Sequence, residues 1–195
     1  MRFSKSTVYV LFFVLAAALL LLAQTGTQQQ SNAPAPKPRL SPPGTASCAF
    51  ADGKTVTVAY SRPSMRNRKI MGELVPFDKV WRTGANEATS FETQVPLKVG
   101  NTEIPAGKYT LYTIPSQAGW TLIINKQTGQ WGTQYDQSQD LARVKMDVKQ
   151  LSAPVEQFTI SFEKTGDTSC RMKLEWENTS ASVSFEEAAA TNKMK

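Results

Sequence analysis

Arginines crowd one stretch of this chain. Between positions 62 and 82 stand Arg62, Arg66, Arg68, Lys69, Lys79 and Arg82 against only Glu73 and Asp78, six bases to two acids. The guanidinium fork is planar, permanently charged and bidentate, which suits it to carboxylates and phosphates. Trp81, Asn86 and Glu87 add an aromatic plate, an amide and one acid. The pattern points to a cationic, aromatic hollow. The candidate ligand site is Arg62, Arg68, Trp81, Arg82, Asn86 and Glu87, and the ligand it suits is anionic: an acidic sugar, a peptide carboxylate or a phosphate. Gly72 and Gly84 would let the backbone turn closely around it. A purely structural reading uses the same residues differently. In it Arg82 pairs with Glu87, Asn86 takes a left-handed turn position and Trp81 plugs the core.

The other constellations are weaker. Histidine is absent from all 195 residues. That excludes a Ser-His-Asp triad, a Cys-His pair and any imidazole metal ligand or base. There is no glycine-rich phosphate loop and no dinucleotide fingerprint. Glu175 and Glu177 sit two apart on an alternating run, as paired glycosidase acids would, but Arg171 and Lys173 share that face and a solvated charged surface explains them. Asp136 and Asp140 lack the further carboxylates and loop glycine of a calcium site. Trp120, Trp131 and Tyr135 read as aromatics closing one end of the fold. No metal and no cofactor is expected. A hydrolase acting on glycans or esters would have to use Glu87 with a second carboxylate about 5–5.5 or 6.5–9.5 Å away.

The elements around these residues read as strands. Val56, Val58 and Tyr60 alternate with Thr55, Thr57 and Ala59 over Thr55–Ser61. The same period of two recurs in residues 107–115, 120–125, 144–149, 158–163 and 171–177, and again at Val183 and Phe185. Gly100-Asn101, residues 116–119 and Thr165-Gly166-Asp167 are turn chemistry, and residues 178–180 can turn a final hairpin. One helical turn fits near residues 140–142. The expected fold is all-β: an antiparallel β-sandwich or jelly roll of about nine strands with residues 62–87 as its one long insertion. That insertion must pack, since it carries Met65, Ile70, Met71, Leu74, Val75, Phe77, Val80 and Trp81.

The N-terminus reads as an address. Arg2 and Lys5 precede sixteen unbroken apolar residues, 8–23. At ~1.5 Å per residue they span about 24 Å, short of a ~30 Å hydrocarbon core. Residues 1–23 are therefore expected to be a secretory signal peptide, with an uncleaved anchor as the alternative. Residues 24–43 form a Pro/Gln-rich linker, 44–186 the β domain and 187–195 a disordered tail. Cys48 and Cys170 in an exported chain are expected to form one disulfide. Net charge is +6, of which Arg2, Lys5, Lys37 and Arg39 account for four, leaving +2 for residues 41–195. So weak a surplus argues against nucleic acid as a partner.

Two motifs carry a resemblance. Arg68-Lys69-Ile70-Met71-Gly72-Glu73-Leu74-Val75-Pro76-Phe77, followed by Val80-Trp81-Arg82-Thr83-Gly84-Ala85-Asn86-Glu87-Ala88-Thr89, resembles the bacterial exported family catalogued as domain of unknown function 2911. Residues 105–115 and 120–126 match its later motifs, so the likeness covers about 41–186. It implies a β-rich extracytoplasmic domain and brings no activity or catalytic residues with it. The expected function is a non-catalytic ligand- or glycan-binding module of the cell envelope, periplasmic or secreted. Its partner is a small anionic ligand, a glycan or an envelope protein, with membrane contact only through an uncleaved N-terminal segment. The alternatives are the carboxylate-dependent hydrolase and a structural envelope protein.

Overall fold

A computed structural model describes residues 39–188. The expected leader (1–23), most of the linker and the end of the tail (189–195) lie outside the described residues.

The chain is all-β. Its strands are β1 (Pro43–Ala49), β2 (Thr55–Ser61), β3 (Thr89–Thr93), β4 (Leu97–Val99), β5 (Thr102–Ile104), β6 (Gly107–Ile114), β7 (Trp120–Asn125), β8 (Asp140–Gly166) and β9 (Ser169–Glu187). They form one antiparallel sheet in the order β1-β2-β3-β6-β7-β8-β9-β4-β5. Alternation sets the faces: in β2 the buried set is Val56, Val58 and Tyr60, and in β9 it is Met172, Leu174 and Trp176.

The number of strands matches the expectation, but its makeup differs. The runs at 144–149 and 158–163 belong to one 27-residue strand, β8, and those at 171–177 and 183–185 to one 19-residue strand, β9. Residues 178–180 therefore do not turn a hairpin. Instead both strands bend together. Register slips between Gln150 and Val155 and between Val155 and Thr159, across from Glu177, whose φ is 52°. Pro154 has no N–H to give the ladder, so a bulge is the arrangement it tolerates. The helical turn falls at Gln137–Gln139 rather than at 140–142, because Asp136 caps it by accepting from the Ser138 N–H.

The bend lets the sheet fold over itself. The early part of β8 pairs with β7 and the rest pairs with β9. Phe91 of β3 then stacks on Phe185 of β9 at 5.5 Å, and Tyr60 of β2 meets Phe158 of β8 edge-on at 5.7 Å. The Tyr60 hydroxyl accepts from the Ile160 N–H at 2.7 Å and lies 3.3 Å from the Ile160 carbonyl. Cys48 of β1 and Cys170 of β9 form the expected disulfide across 122 positions of sequence. At the end of β9, Glu187 is still paired and the Ala188 N–H donates to Pro96.

Candidate functional site

The insertion between β2 and β3 is held from end to end. Its first residues lie beside β8: Met65 N–H donates to the Glu156 carbonyl, and the Pro63 carbonyl accepts from Phe158. Arg66 and Asn67 then take left-handed backbone, with φ of 51° and 59°. This reverses the chain so that the Arg68 guanidinium folds back and donates to the Ser64 and Met65 carbonyls at 2.8 and 2.9 Å. Residues 70–75 make a tight turn in which Val75 N–H donates to Ile70. The Glu177 carboxylate accepts from the Ile70 and Met71 N–H groups at 3.2 and 3.0 Å. The charged-surface account of Glu177 is thus corrected: its left-handed backbone, opposite the bulge in β8, aims it inward as a cap, while Glu175 accepts from the Ser180 hydroxyl.

Trp81 ties the insertion to β6, exchanging backbone hydrogen bonds with Thr113 at 2.8 and 2.9 Å. Its indole stacks on Trp176 at 5.9 Å and meets Trp120 and Phe158 edge-on. The next residues are wound tightly. Thr83 is buried at φ 52°, a costly conformation for a β-branched residue. Its hydroxyl lies 3.1 Å from that of Thr113, and its carbonyl accepts from Thr89 at 2.8 Å. A side chain at Gly84 would press on the Ser61 carbonyl at 3.0 Å. Asn86 takes φ 59°, and its amide donates to the Ser61 hydroxyl at 3.3 Å and weakly to the Ser41 carbonyl at 3.5 Å.

These segments enclose an open hollow of about 330 Å³. Three arginines reach it, Arg66, Arg68 and Arg82, and among the described residues no Asp or Glu lines it. Arg66 is fixed by donating to the Leu40 carbonyl at 2.7 Å, and Arg68 by its own turn. Arg82 differs. Its Nε is buried with no hydrogen-bond partner, and among the described residues it makes no ion pair. Its stem runs against Gly132, whose own N–H donates to the Asn86 carbonyl, so any side chain at position 132 would collide with it. Apolar walls come from Leu40, Leu74, Val75 and the Trp81–Trp176 pair.

Four of the six candidate residues face this hollow: Arg68, Trp81, Arg82 and Asn86. Arg62 does not. It lies across the β1–β8 seam under Gly44, with Nη2 donating to Thr159 Oγ1 at 3.3 Å. Glu87 points away and pairs with Arg39 at 2.8 Å rather than with Arg82, so the clamp between Arg82 and Glu87 is absent. The hydrogen bond from its own backbone N–H lowers the Glu87 carboxyl below the usual range; desolvation opposes this, and the hydrogen bond and charge of Arg39 add to the lowering. Asn86 and Trp81 nevertheless do take the turn and core positions of the structural reading.

Sequence reasoning missed Arg66, Leu40, Leu74 and Trp176. Arg66 was visible in the local charge excess. Trp176 arrives from a strand some ninety positions away, and no local signal announces it. A second polar cluster lies beyond β7. Tyr135 donates to Asp140 at 2.7 Å, while Arg143 donates to both at 2.9 Å and Asn125 donates to Asp140 at 2.8 Å. Asp140 is spent there and Asp136 in its cap. No group of three or more metal-ligating residues occurs among the described residues.

Residues 41–185 match the model of a family described as protein of unknown function (DUF2911). No curated protein and no solved structure matches the chain.

Proposed function

The chain belongs to the DUF2911 family, and we propose that its domain is a binding module for a small anionic ligand, carried outside the cytoplasm. One observation carries this reading: three arginines, Arg66, Arg68 and Arg82, reach a hollow that no described Asp or Glu lines, and Arg82 makes no ion pair among the described residues. A cluster of guanidinium groups with no acid beside it repels itself, and an anion in the hollow is the group that would answer its charge. The volume is near the lower end of the ~300–1,000 Å³ usual for small-molecule sites, which suits one small ligand or the end of a longer one.

The compartment is part of the proposal. A disulfide favours an oxidising environment, and the charged start with its short apolar run favours export. Among the described residues no helix is long and apolar enough to cross a membrane. The hydrolase reading draws no support from Glu87. A general acid needs a raised pKa, whereas this carboxylate is lowered and paired with Arg39.

The test is titration of inorganic phosphate and acetate into the protein, read by calorimetry, with Arg82→Met alongside. Saturable binding that Arg82→Met abolishes is expected. Binding that survives the substitution undiminished removes the hollow from consideration.

A further inference from the structure

The hollow has a second property besides its charge: an apolar rim that none of the described residues covers. Leu40 and Leu74, two of the few large apolar side chains well exposed among the described residues, at 73% and 45%, both line it. Neither is left there by a loose chain. Arg66 grips the Leu40 carbonyl at 2.7 Å, Arg62 N–H donates to Pro42 at 2.8 Å, and Arg39 is paired with Glu87. Leu74 rides the turn that the Glu177 carboxylate caps. The fold therefore holds two leucines at the mouth of a three-arginine hollow, with Val75 beside them. An apolar surface rimmed by fixed charge is an arrangement for a partner with both characters.

The aromatic wall narrows the choice. A sugar is held by stacking on an open ring face. Here the Trp176 ring covers one face of Trp81, with the planes 19° apart, and Trp176 itself is buried. Phe158 and Trp120 crowd the same indole.

Resting on the anion-binding reading above, we propose that the ligand is a single-chain amphiphilic anion, an alkyl carboxylate or alkyl phosphate. Its head lies against Arg82, Arg66 and Arg68, and its chain along Leu40, Leu74 and Val75. A bare inorganic anion fills only the cationic half of such a site, and a neutral sugar fills neither half.

The experiment is a chain-length series. Acetate, butanoate, hexanoate and octanoate are titrated while the fluorescence of the hollow's tryptophans is followed, with octyl glucoside as the uncharged control. Each buried methylene tightens binding by up to about fourfold. Because the rim is open, the expected gain from acetate to octanoate is about tenfold or more. Leu40→Ser and Leu74→Ser, both at exposed positions the fold tolerates, should flatten the series, bringing octanoate down towards acetate. Octyl glucoside should not bind. A gain below about tenfold overturns the proposal, as does a chain-length gain that both serine variants keep, or binding to anionic phospholipid vesicles without any gain from octanoate. The two readings fail differently. If no carboxylate or phosphate binds at all, anion binding itself is wrong. If all four acids bind alike and Arg82→Met abolishes them, only the amphiphile is wrong.

Discussion

Replacing Arg82 with methionine should stabilise the empty protein and destabilise the anion-loaded one. Arg82 Nε is buried and unpartnered, and no carboxylate of the hollow answers its charge. An unsatisfied buried donor costs about 1–3 kcal/mol. Methionine keeps an unbranched stem against Gly132 and removes the donor, a swap of similar volume that typically costs under about 1.5 kcal/mol in packing. The balance favours the variant by about 1 kcal/mol, which for a domain of this size raises Tm by roughly 2–4 °C. The assay is urea denaturation in a buffer free of phosphate and carboxylates, followed by tryptophan fluorescence. An anion at about a hundred times its Kd adds ~2.7 kcal/mol to a protein that binds it. With phosphate present the order of the two proteins should therefore reverse. A variant less stable than the parent by more than about 1 kcal/mol in the anion-free buffer would refute the reasoning. It would mean that the guanidinium is already satisfied within the fold, and the argument for an anion would lose its basis.

Reducing the Cys48–Cys170 disulfide, which joins positions 122 apart, should cost about 4–5 kcal/mol in the chain-entropy model; denaturation with and without reductant measures it. Tyr60→Phe keeps the ring against Phe158 but leaves the buried Ile160 N–H unpaired, so a loss of about 1–3 kcal/mol is expected, and an unchanged urea midpoint would argue against that cross-sheet bond. Burial and then the Asp140 carboxylate push the Tyr135 phenol from 10.0 up to about 12. The folded state thus holds a proton that the unfolded chain releases near pH 10, so this contribution to stability is present below that pH and is lost as pH climbs to about 12. Asp140→Asn should bring the phenolate absorbance titration of Tyr135 back down, and a midpoint that does not move would discount the carboxylate.

The strands were legible where the alternation was local. Val56, Val58 and Tyr60 announce β2, and the turn at Thr165-Gly166-Asp167 announces the β8–β9 hairpin. The bend was not legible. A proline between two alternating runs, as at Pro154, reads equally as a break between strands or as a bulge inside one. Only the matching irregularity at Glu177 across the ladder decides for the bulge. That same bend turns Glu177 inward to cap residues 70–71 and brings Trp176 beneath Trp81, so half of the site's support depended on a tertiary event with no local trace.

The candidate residues divide along the same line. Arg62 directly follows β2 and is drawn into the β1–β8 seam, while Glu87 stands two residues before β3 and is bridged to Trp131. Residues at the ends of an insertion belong to the sheet that launches it. The candidates that reach the hollow lie between these two, where left-handed turns at Arg66, Asn67, Thr83 and Asn86 fold the chain back on itself. A count of charges could not separate the two kinds. Lys69 contributes to the local excess, but it is matched by Glu73 at 3.7 Å, as Lys108 is by Glu92 and Lys173 by Glu163. Part of the charge the sequence displays is answered in this way at the surface, where such pairs contribute little. What distinguishes Arg82 is a buried guanidinium nitrogen, Nε, that donates to no group among the described residues. That property is fixed by what the neighbours lack, and so no inspection of its own segment, however basic, could have found it.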